Sequence, residues 1–215
     1  MRHVIVTRFS VPRPQDPATA ERHRDPEWIE GRLELFRRFF VPSVSRLHVP
    51  AVLLCSTQSA PYVKKGVNEV EWAEVVVQDE WYGGWTGEND QMVTRMDSDD
   101  AIDSGWLVAL REVPADAEVC CTRDFLRYDP STQRLCAYSR REPSPLAAFR
   151  GGRNPFAYDH AELDRHYRVH EIEGPFLLQV FHGGNVSSRK PSWYRRRLPL
   201  ERLRAFGLDA RSMNR

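Results

Sequence analysis

Asp97, Asp99 and Asp100 put three carboxylates into four positions, with only Ser98 between them. Acids packed this closely repel one another unless a cation lies among them. Hard divalent cations such as Mn²⁺ or Mg²⁺ take oxygen ligands and bridge to phosphate oxygens, so the spacing points to a metal–diphosphate site. The competing reading is conformational. Aspartate tolerates tight turns and caps helices, and Asp100 or Asp103 would cap a helix expected from near Ile102. The place of the acids favours the metal. They follow the apolar run Gln91 to Met96, and aspartate is a poor strand former. The strand is expected to stop at Met96 and present the acids at its carboxyl end, where ligands bind in open α/β sheets.

A second apolar run, Pro175 to His182, ends in Phe181-His182-Gly183-Gly184-Asn185. Imidazole is a good ligand for Mn²⁺-like ions, and glycines let backbone approach a phosphate closely. His182 is therefore a candidate third-party ligand to the metal held by the acids, the alternative being a satisfied histidine beside a Gly-Gly turn. Thr7-Arg8-Phe9 closes the first expected strand, at the same end of the sheet. Arg8 is a candidate for phosphate or base, with an edge ion pair as the alternative. Arg95, just before the acids, either reaches a diphosphate or holds an aspartate in an internal ion pair. Arg32, one helical turn after Trp28, is expected to be structural. The glycine-hinged aromatic loop Trp81-Tyr82-Gly83-Gly84-Trp85 either shields the site and stacks a sugar or folds onto the core.

Strands and helices must alternate to bring these ends together. His3 to Phe9, Ala51 to Ser56, Trp72 to Val77 and Gln91 to Met96 have the composition of strands. Between them, Ser10 to Asp25 is expected to be a long loop. Asp25-Pro26-Glu27 starts a helix that Pro42 ends, and Ser59 to Lys65 suits a short helix. Asp103 to Arg111 is helical in pattern. The alternation argues for a mostly parallel central sheet flanked by helices. The rhythm then changes to a hairpin, with Glu118 to Arg127 and Arg134 to Tyr138 around Tyr128-Asp129-Pro130-Ser131-Thr132. Ser144 to Pro155 is expected to be a loop, Glu162 to Val169 weakly helical, Pro175 to His182 the last strand, and Leu200 to Phe206 a short helix.

The 215 residues suffice for one sizeable core, and a net charge of +1 gives no bias toward nucleic acid or membrane. The charge is uneven, with an acidic middle from Glu69 to Glu118 and a basic tail from Arg189 to Arg215. No run approaches the ~20 apolar residues of a membrane span. The four cysteines, Cys55, Cys120, Cys121 and Cys136, lack metal-ligand spacing. They are expected to be reduced core residues, which suggests a cytoplasmic protein, with peripheral membrane contact left open. The expected domain is the whole chain, 1–215, with a nucleotide-binding half over 1–115 and an acceptor half with the basic tail over 116–215.

The segments His3 to Phe9, Trp28 with Arg32-Leu33-Glu34-Leu35-Phe36, Pro42-Ser43 and Thr94-Arg95-Met96-Asp97-Ser98-Asp99-Asp100-Ala101 resemble a family of bacterial rhamnosyltransferases, and more broadly GT-A-type glycosyltransferases. His182-Gly183-Gly184-Asn185 resembles the family's carboxyl-terminal His/Asn element. The resemblance implies a GT-A-like fold, a nucleotide-sugar donor and Mn²⁺ or Mg²⁺ bound through the Asp-x-Asp element. It implies that Thr7, Arg8, Arg95, Asp97 and Asn185 bind the nucleotide sugar, with Asp97 facing ribose or sugar. Asp99, Asp100 and His182 would hold the metal.

An inverting transfer also needs a base near the acceptor hydroxyl. Asp159 and His160 lead, with Glu162 and Asp124 behind; a retaining reaction needs none. The acceptor is open among a saccharide, a lipid-linked saccharide, a peptide and a small molecule. Two other classes fit the same crevice. A nucleotidyltransferase would make the sugar nucleotide, although the segment after the first strand, Ser10-Val11-Pro12-Arg13-Pro14, lacks the glycines such enzymes use. A non-catalytic sugar- or nucleotide-binding module would only hold it.

Overall fold

The structure, a computed structural model, describes residues 2–14, 17–182 and 197–209. Gly183, Gly184, Asn185 and the basic residues from Arg189 to Arg196 lie outside the described residues, as do residues 210–215. The described elements run β1 (Arg2–Ser10), α1 (Pro17–Arg22), α2 (Pro26–Leu35), a π-helical turn (Phe36–Phe40), α3 (Val41–Ser45), β2 (Ala51–Cys55), α4 (Ala60–Gly66), β3 (Ala73–Val77), β4 (Gln91–Arg95), β5 (Ala101–Ile102) and α5 (Gly105–Ala109). There follow β6 (Val119–Cys121), β7 (Asp124–Asp129), β8 (Arg134–Ser139), β9 (Ala147–Arg150), a short 3₁₀ turn (His160–Glu162), α6 (Leu163–His166), β10 (Val169–Glu171), β11 (Leu177–Val180), β12 (Arg197–Leu198) and a 3₁₀ helix (Leu200–Phe206).

The α/β expectation holds. A seven-stranded sheet has the order β10-β6-β9-β4-β1-β2-β3. Its β1–β2, β2–β3, β1–β4 and β6–β10 pairs are parallel, and β9 alone runs antiparallel to its two neighbours. The chain moves outward from β1 to β2 and β3, then returns to β4 on the other side of β1. That reversal opens a crevice at the carboxyl ends of β1 and β4. A second, five-stranded sheet, β12-β8-β7-β11-β5, contains the hairpin as β7 and β8, but its first arm begins at Asp124, and the part of the expected arm at Val119–Cys121 is β6 of the larger sheet.

Alternation along β1 assigns its two faces. Ile5 and Phe9 join Ile29, Leu33, Phe36, Phe40 and Val63 in the core beneath the helices. Val4 and Val6 pack on the opposite face with Val93, Phe156, Trp81 and Trp85. Helix α2 starts where Asp25 accepts a 2.9 Å hydrogen bond from the Glu27 amide. Burying Ile29 and Leu33, about 1.5–3 kcal/mol each, outweighs Gly31 inside the helix, which costs about 1 kcal/mol.

Several local expectations are corrected. The segment expected to be a loop after Ser10 contains α1. Pro42 does not end the helix: the Val41 amide reaches back to the Phe36 carbonyl, and the chain continues through α3. The wider π turn lets the helix tolerate a ring without an amide hydrogen. Ala101 and Ile102 are a strand, not the start of a helix, and the helix after them begins at Gly105. The Ser144 to Pro155 segment contains β9, a central strand, and the weak helix ends at His166 so that Val169 can open β10. Strand β11 is followed by β12, so it is not the last. All four cysteines are buried and free. Among the described residues no helix is long and apolar enough to cross a membrane.

Candidate functional site

The period-2 alternation that sorts the core also aims two arginines. Arg8 shares the Val4 and Val6 face of β1, and Arg95 shares the Val93 face of β4. Both line a pocket of about 330 Å³ with Arg13, Trp81, Met96, Asp97, Pro145, Phe156, Asp159, His160 and Ala161. The Arg8 guanidinium lies 3.5 Å from the Trp81 ring centre and 4.6 Å from that of Phe156. It donates to the Trp81 carbonyl at 3.1 Å. Burial pushes its pKa down to about 10, against the pull of Asp97 and Asp159. It remains a cation at neutral pH, in contact with two rings.

Arg95 is a brace as well as a wall. Its Nη1 donates to the carbonyls of Pro155 at 2.6 Å and Tyr158 at 2.9 Å, while Nη2 is buried with no partner among the described residues. Burial, then the neighbouring Arg8 charge, push it down to about 10. Asn154 ties the same segment to the aromatic loop, donating to the Tyr82 carbonyl at 3.2 Å and the Gly83 carbonyl at 2.6 Å. Asp159 and His160 are thereby held in the pocket wall. Asp159 meets Arg13 at 3.5 Å. Burial and the charges of Arg95 and Arg140 push His160 down to about 4, so its imidazole is neutral at pH 7.

The acid turn adjoins this pocket and joins the two sheets. The Met96 amide still pairs with the Val6 carbonyl of the larger sheet, and the Asp100 amide closes a turn on the Asp97 carbonyl. The chain then enters β5, which pairs with β11 through Leu177–Ile102 and Leu178–Ala101. That antiparallel register carries the end of β11 back along the acids. The Val180 amide donates to Asp100 Oδ1 at 2.9 Å, and His182 Nε2 lies 2.6 Å from Asp99 Oδ2. From α2, Arg32 reaches the same oxygen of Asp99 at 2.9 Å and donates to the Ser98 hydroxyl at 2.5 Å.

The three acids differ in environment. Burial alone would raise Asp99, but the Arg32 charge and the His182 hydrogen bond outweigh it and hold the carboxyl at about 2. Burial, with the charges of Asp99 and Asp97, pushes Asp100 well above the usual carboxylate range, and its Oδ2 has no partner among the described residues. Asp97 is exposed at the pocket mouth. The protein crowded around it and the Asp99 charge raise its pKa.

No three His, Cys, Asp or Glu side chains converge to cage a metal ion among the described residues. The donors present still fit Mn²⁺ or Mg²⁺. Such ions are commonly bound through one or two carboxylates with the rest of the shell left to phosphate and water. Asp99 and His182 supply an oxygen and a nitrogen within contact of each other, and Asp100 adds a buried oxygen with no partner among the described residues.

No protein-family model and no curated protein matches the chain. Solved structures do. One is the inositol-1-phosphate CTP transferase of T. maritima, 11% identical over 83% of this chain and 89% of that one, with a TM-score of 0.45. Another is a fragment of S. aureus TarS in complex with UDP-GlcNAc, 13% identical over 86% of this chain and 60% of that fragment, TM-score 0.42. A third is a candidate glucose-1-phosphate thymidylyltransferase of Bacillus anthracis, 10% identical over 81% and 87% of the two chains, TM-score 0.42.

The structure thus brings Arg8, Arg95, Asp97, Asp159 and His160 into one pocket, and Asp99, Asp100 and His182 into the adjoining turn. Thr7 points to the other face of β1, fully buried, and does not line the pocket. Asp124 and Glu162 do not line it either. Asn185 lies outside the described residues. Asp100 accepts from a β11 amide and caps no helix; Asp103 instead accepts from the Gly105 amide at 2.7 Å. Sequence reasoning missed Arg32 as a site residue, and it missed Arg13 and Pro145. The signal available for Arg32 was a cation on the helix that follows Asp25-Pro26, in a chain whose acid turn needs one.

Proposed function

We propose that the chain is a metal-dependent glycosyltransferase that moves a sugar from a nucleotide-sugar donor to an acceptor hydroxyl. The observation that carries this reading is one juxtaposition. A turn of three acids at the β1–β4 crevice touches His182 and opens beside a pocket walled by cations and aromatic rings. Cations and rings suit a phosphate and a base, and the acids suit the ion between them. The sequence resemblance supports the donor class, and its finer form is rhamnosyl transfer. In this reading residues 1–115 hold the donor and 116–215 the acceptor, within one domain.

Asp99 and His182 hold the divalent ion, assisted by Asp100. When bound, the ion supplies Lewis-acid stabilisation of the departing diphosphate. Arg8 and Arg95 offer fixed positive charge where the diphosphate charge grows, with no reorganisation at the moment of bond cleavage. Asp97 orients ribose or sugar from the pocket mouth. Asp159 takes the acceptor proton in an inverting transfer. His160, pushed down to about 4, is a weak base and acts as a neutral hydrogen-bonding wall.

A second reading, a nucleotidyltransferase, is favoured by one observation. Arg8 and Arg13, from β1 and the segment after it, both line the pocket, as a triphosphate would require. Thermal melts with UDP, GDP, ADP and dTDP, each with and without Mn²⁺ or Mg²⁺, test the shared binding site, because a ligand of the native state raises the midpoint. A metal-dependent rise with one nucleotide is expected. No rise with any of them sinks both transferase readings and leaves a binding module for another ligand. Release of nucleoside diphosphate from a sugar nucleotide, rather than pyrophosphate from a triphosphate, separates the first reading from the second.

A further inference from the structure

We propose that Arg32 is the resident counter-cation of the acid turn and makes divalent-metal binding conditional on the diphosphate. The inference rests on the metal–diphosphate reading above. Arg32 Nη1 and His182 Nε2 share a single oxygen, Asp99 Oδ2, at 2.9 and 2.6 Å. A divalent ion drawn to Asp99 and His182 therefore meets a guanidinium already in place on the same oxygen. Two cations competing for one carboxylate oxygen repel.

A diphosphate removes the conflict. It brings its own negative charge to the ion and offers oxygens in the fork geometry that a guanidinium matches. Arg32 can then leave Asp99 for phosphate without being stranded. Its setting suits that exchange. The side chain is 16% exposed, and its two terminal nitrogens reach Asp99 and Ser98, which places its charged end at the acid turn. Its Nε is shielded from solvent with no acceptor among the described residues, a donor left over for a ligand. Its guanidinium lies over the Trp28 ring at 5.7 Å, and His23 stacks on that ring at 4.5 Å, so this side of it rests on a flat aromatic surface. Ser98, the remaining partner, is neutral.

The test is Mn²⁺ binding followed by the electron paramagnetic resonance signal of the free ion, on the full chain, with Mn²⁺ alone and with Mn²⁺ plus UDP, GDP, ADP or dTDP. The wild type is expected to hold Mn²⁺ weakly alone and at least about tenfold more tightly with the nucleotide that fits. Arg32→Gln is expected to hold Mn²⁺ alone about tenfold more tightly than the wild type, and to gain less from the nucleotide. Arg32→Lys keeps the charge and is expected to stay near the wild type with Mn²⁺ alone. It serves as the folded control if Arg32→Gln melts early. If the wild type binds Mn²⁺ with a nucleotide but Arg32→Gln binds Mn²⁺ alone no more tightly than the wild type, Arg32 only braces Asp99 and the inference is overturned. If the wild type binds Mn²⁺ with none of the nucleotides, the metal–diphosphate reading itself fails and takes the inference with it.

Discussion

His182 Nε2 sits 2.6 Å from Asp99 Oδ2, although 83 positions separate the two residues in the chain. The β5–β11 pairing makes that contact, since each residue added after Leu178 runs back past one before Ala101. If the two side chains hold one ion, their removal is not additive. Asp99→Asn and His182→Gln are each expected to weaken Mn²⁺ binding, measured with nucleotide present, by about tenfold or more. The double variant should lose little beyond the worse single one. A double-mutant cycle in Mn²⁺ affinity checks this, and strictly additive losses would mean that the two residues act apart.

The Asp100 carboxyl carries a prediction of opposite sign to its neighbour's. An acid whose folded pKa lies above its unfolded value binds its proton more tightly when folded. It stabilises the fold below the unfolded value, and that contribution is lost as pH rises through the folded value. Asp100 is such a group. Asp99, held at about 2, is the reverse: its contribution is present above pH ~4 and lost as pH falls toward 2. Asp100→Asn keeps the acceptor for the Val180 amide and removes the repulsion. It should therefore raise stability at pH 7 in the absence of metal, and the gain should vanish near pH ~4. Urea melts in chelator across that range decide it; a loss of stability at pH 7 would refute the assignment.

What was legible in the sequence follows from what has a local signal. Strand β1 alternates β-branched residues and β4 stops at an acid, so both were readable, and with them the crevice. Asp99 and His182 were readable as candidates for one site from their residue types, and the structure places them in contact. The device that joins them was not, because β5 has two residues and no pattern of its own. Strand β9 was hidden for a different reason. Ala147, Ala148 and Phe149 are buried on both faces, so they do not alternate, and they stand between prolines on one side and a glycine pair on the other. Gly151 and Gly152 adopt φ of +61° and +54° there, a conformation that looks from sequence like loop. Pro42 reads as a helix stop, and only the π turn before it shows otherwise. Arg32 could not be singled out, since a cation on a helix is usually solvated and nothing local says that this one faces Asp99.

Arg95 offers a test of the pocket wall. One guanidinium spans the Pro155 and Tyr158 carbonyls at 2.6 and 2.9 Å, fixing the segment that carries Asp159 and His160. Lysine keeps the charge but lacks the rigid guanidinium plane that fixes the directions of the two Nη1 hydrogens on these carbonyls. Hydrogen bonds to charged groups contribute about 1.5–3 kcal/mol each, so Arg95→Lys should destabilise the fold by about 2 kcal/mol and lower the nucleotide-induced melting shift. Denaturant titration and the melt panel measure the two effects. A variant of unchanged stability and unchanged shift would show that Arg95 braces nothing.

Trp81 should separate binding from folding. Its ring lies 3.5 Å from the Arg8 guanidinium and forms one wall of the pocket, yet the residue belongs to a loop and is only partly buried. A cation–π contact of this kind contributes about 0.5–2 kcal/mol. Phe156, at 4.6 Å, still supports Arg8 when the indole is gone. Trp81→Ala should therefore cost little stability, while Arg8 loses the surface that fixes its direction and the base loses a stacking partner. Nucleotide affinity should fall about tenfold, and Trp81→Phe should recover most of it because it restores a ring without the indole N–H. Calorimetric titration of the three proteins with the nucleotide that gives the largest melting shift supplies the comparison. Equal affinities would place the base away from Trp81, and equal losses in Trp81→Ala and Trp81→Phe would assign the contribution to the indole N–H and not to stacking.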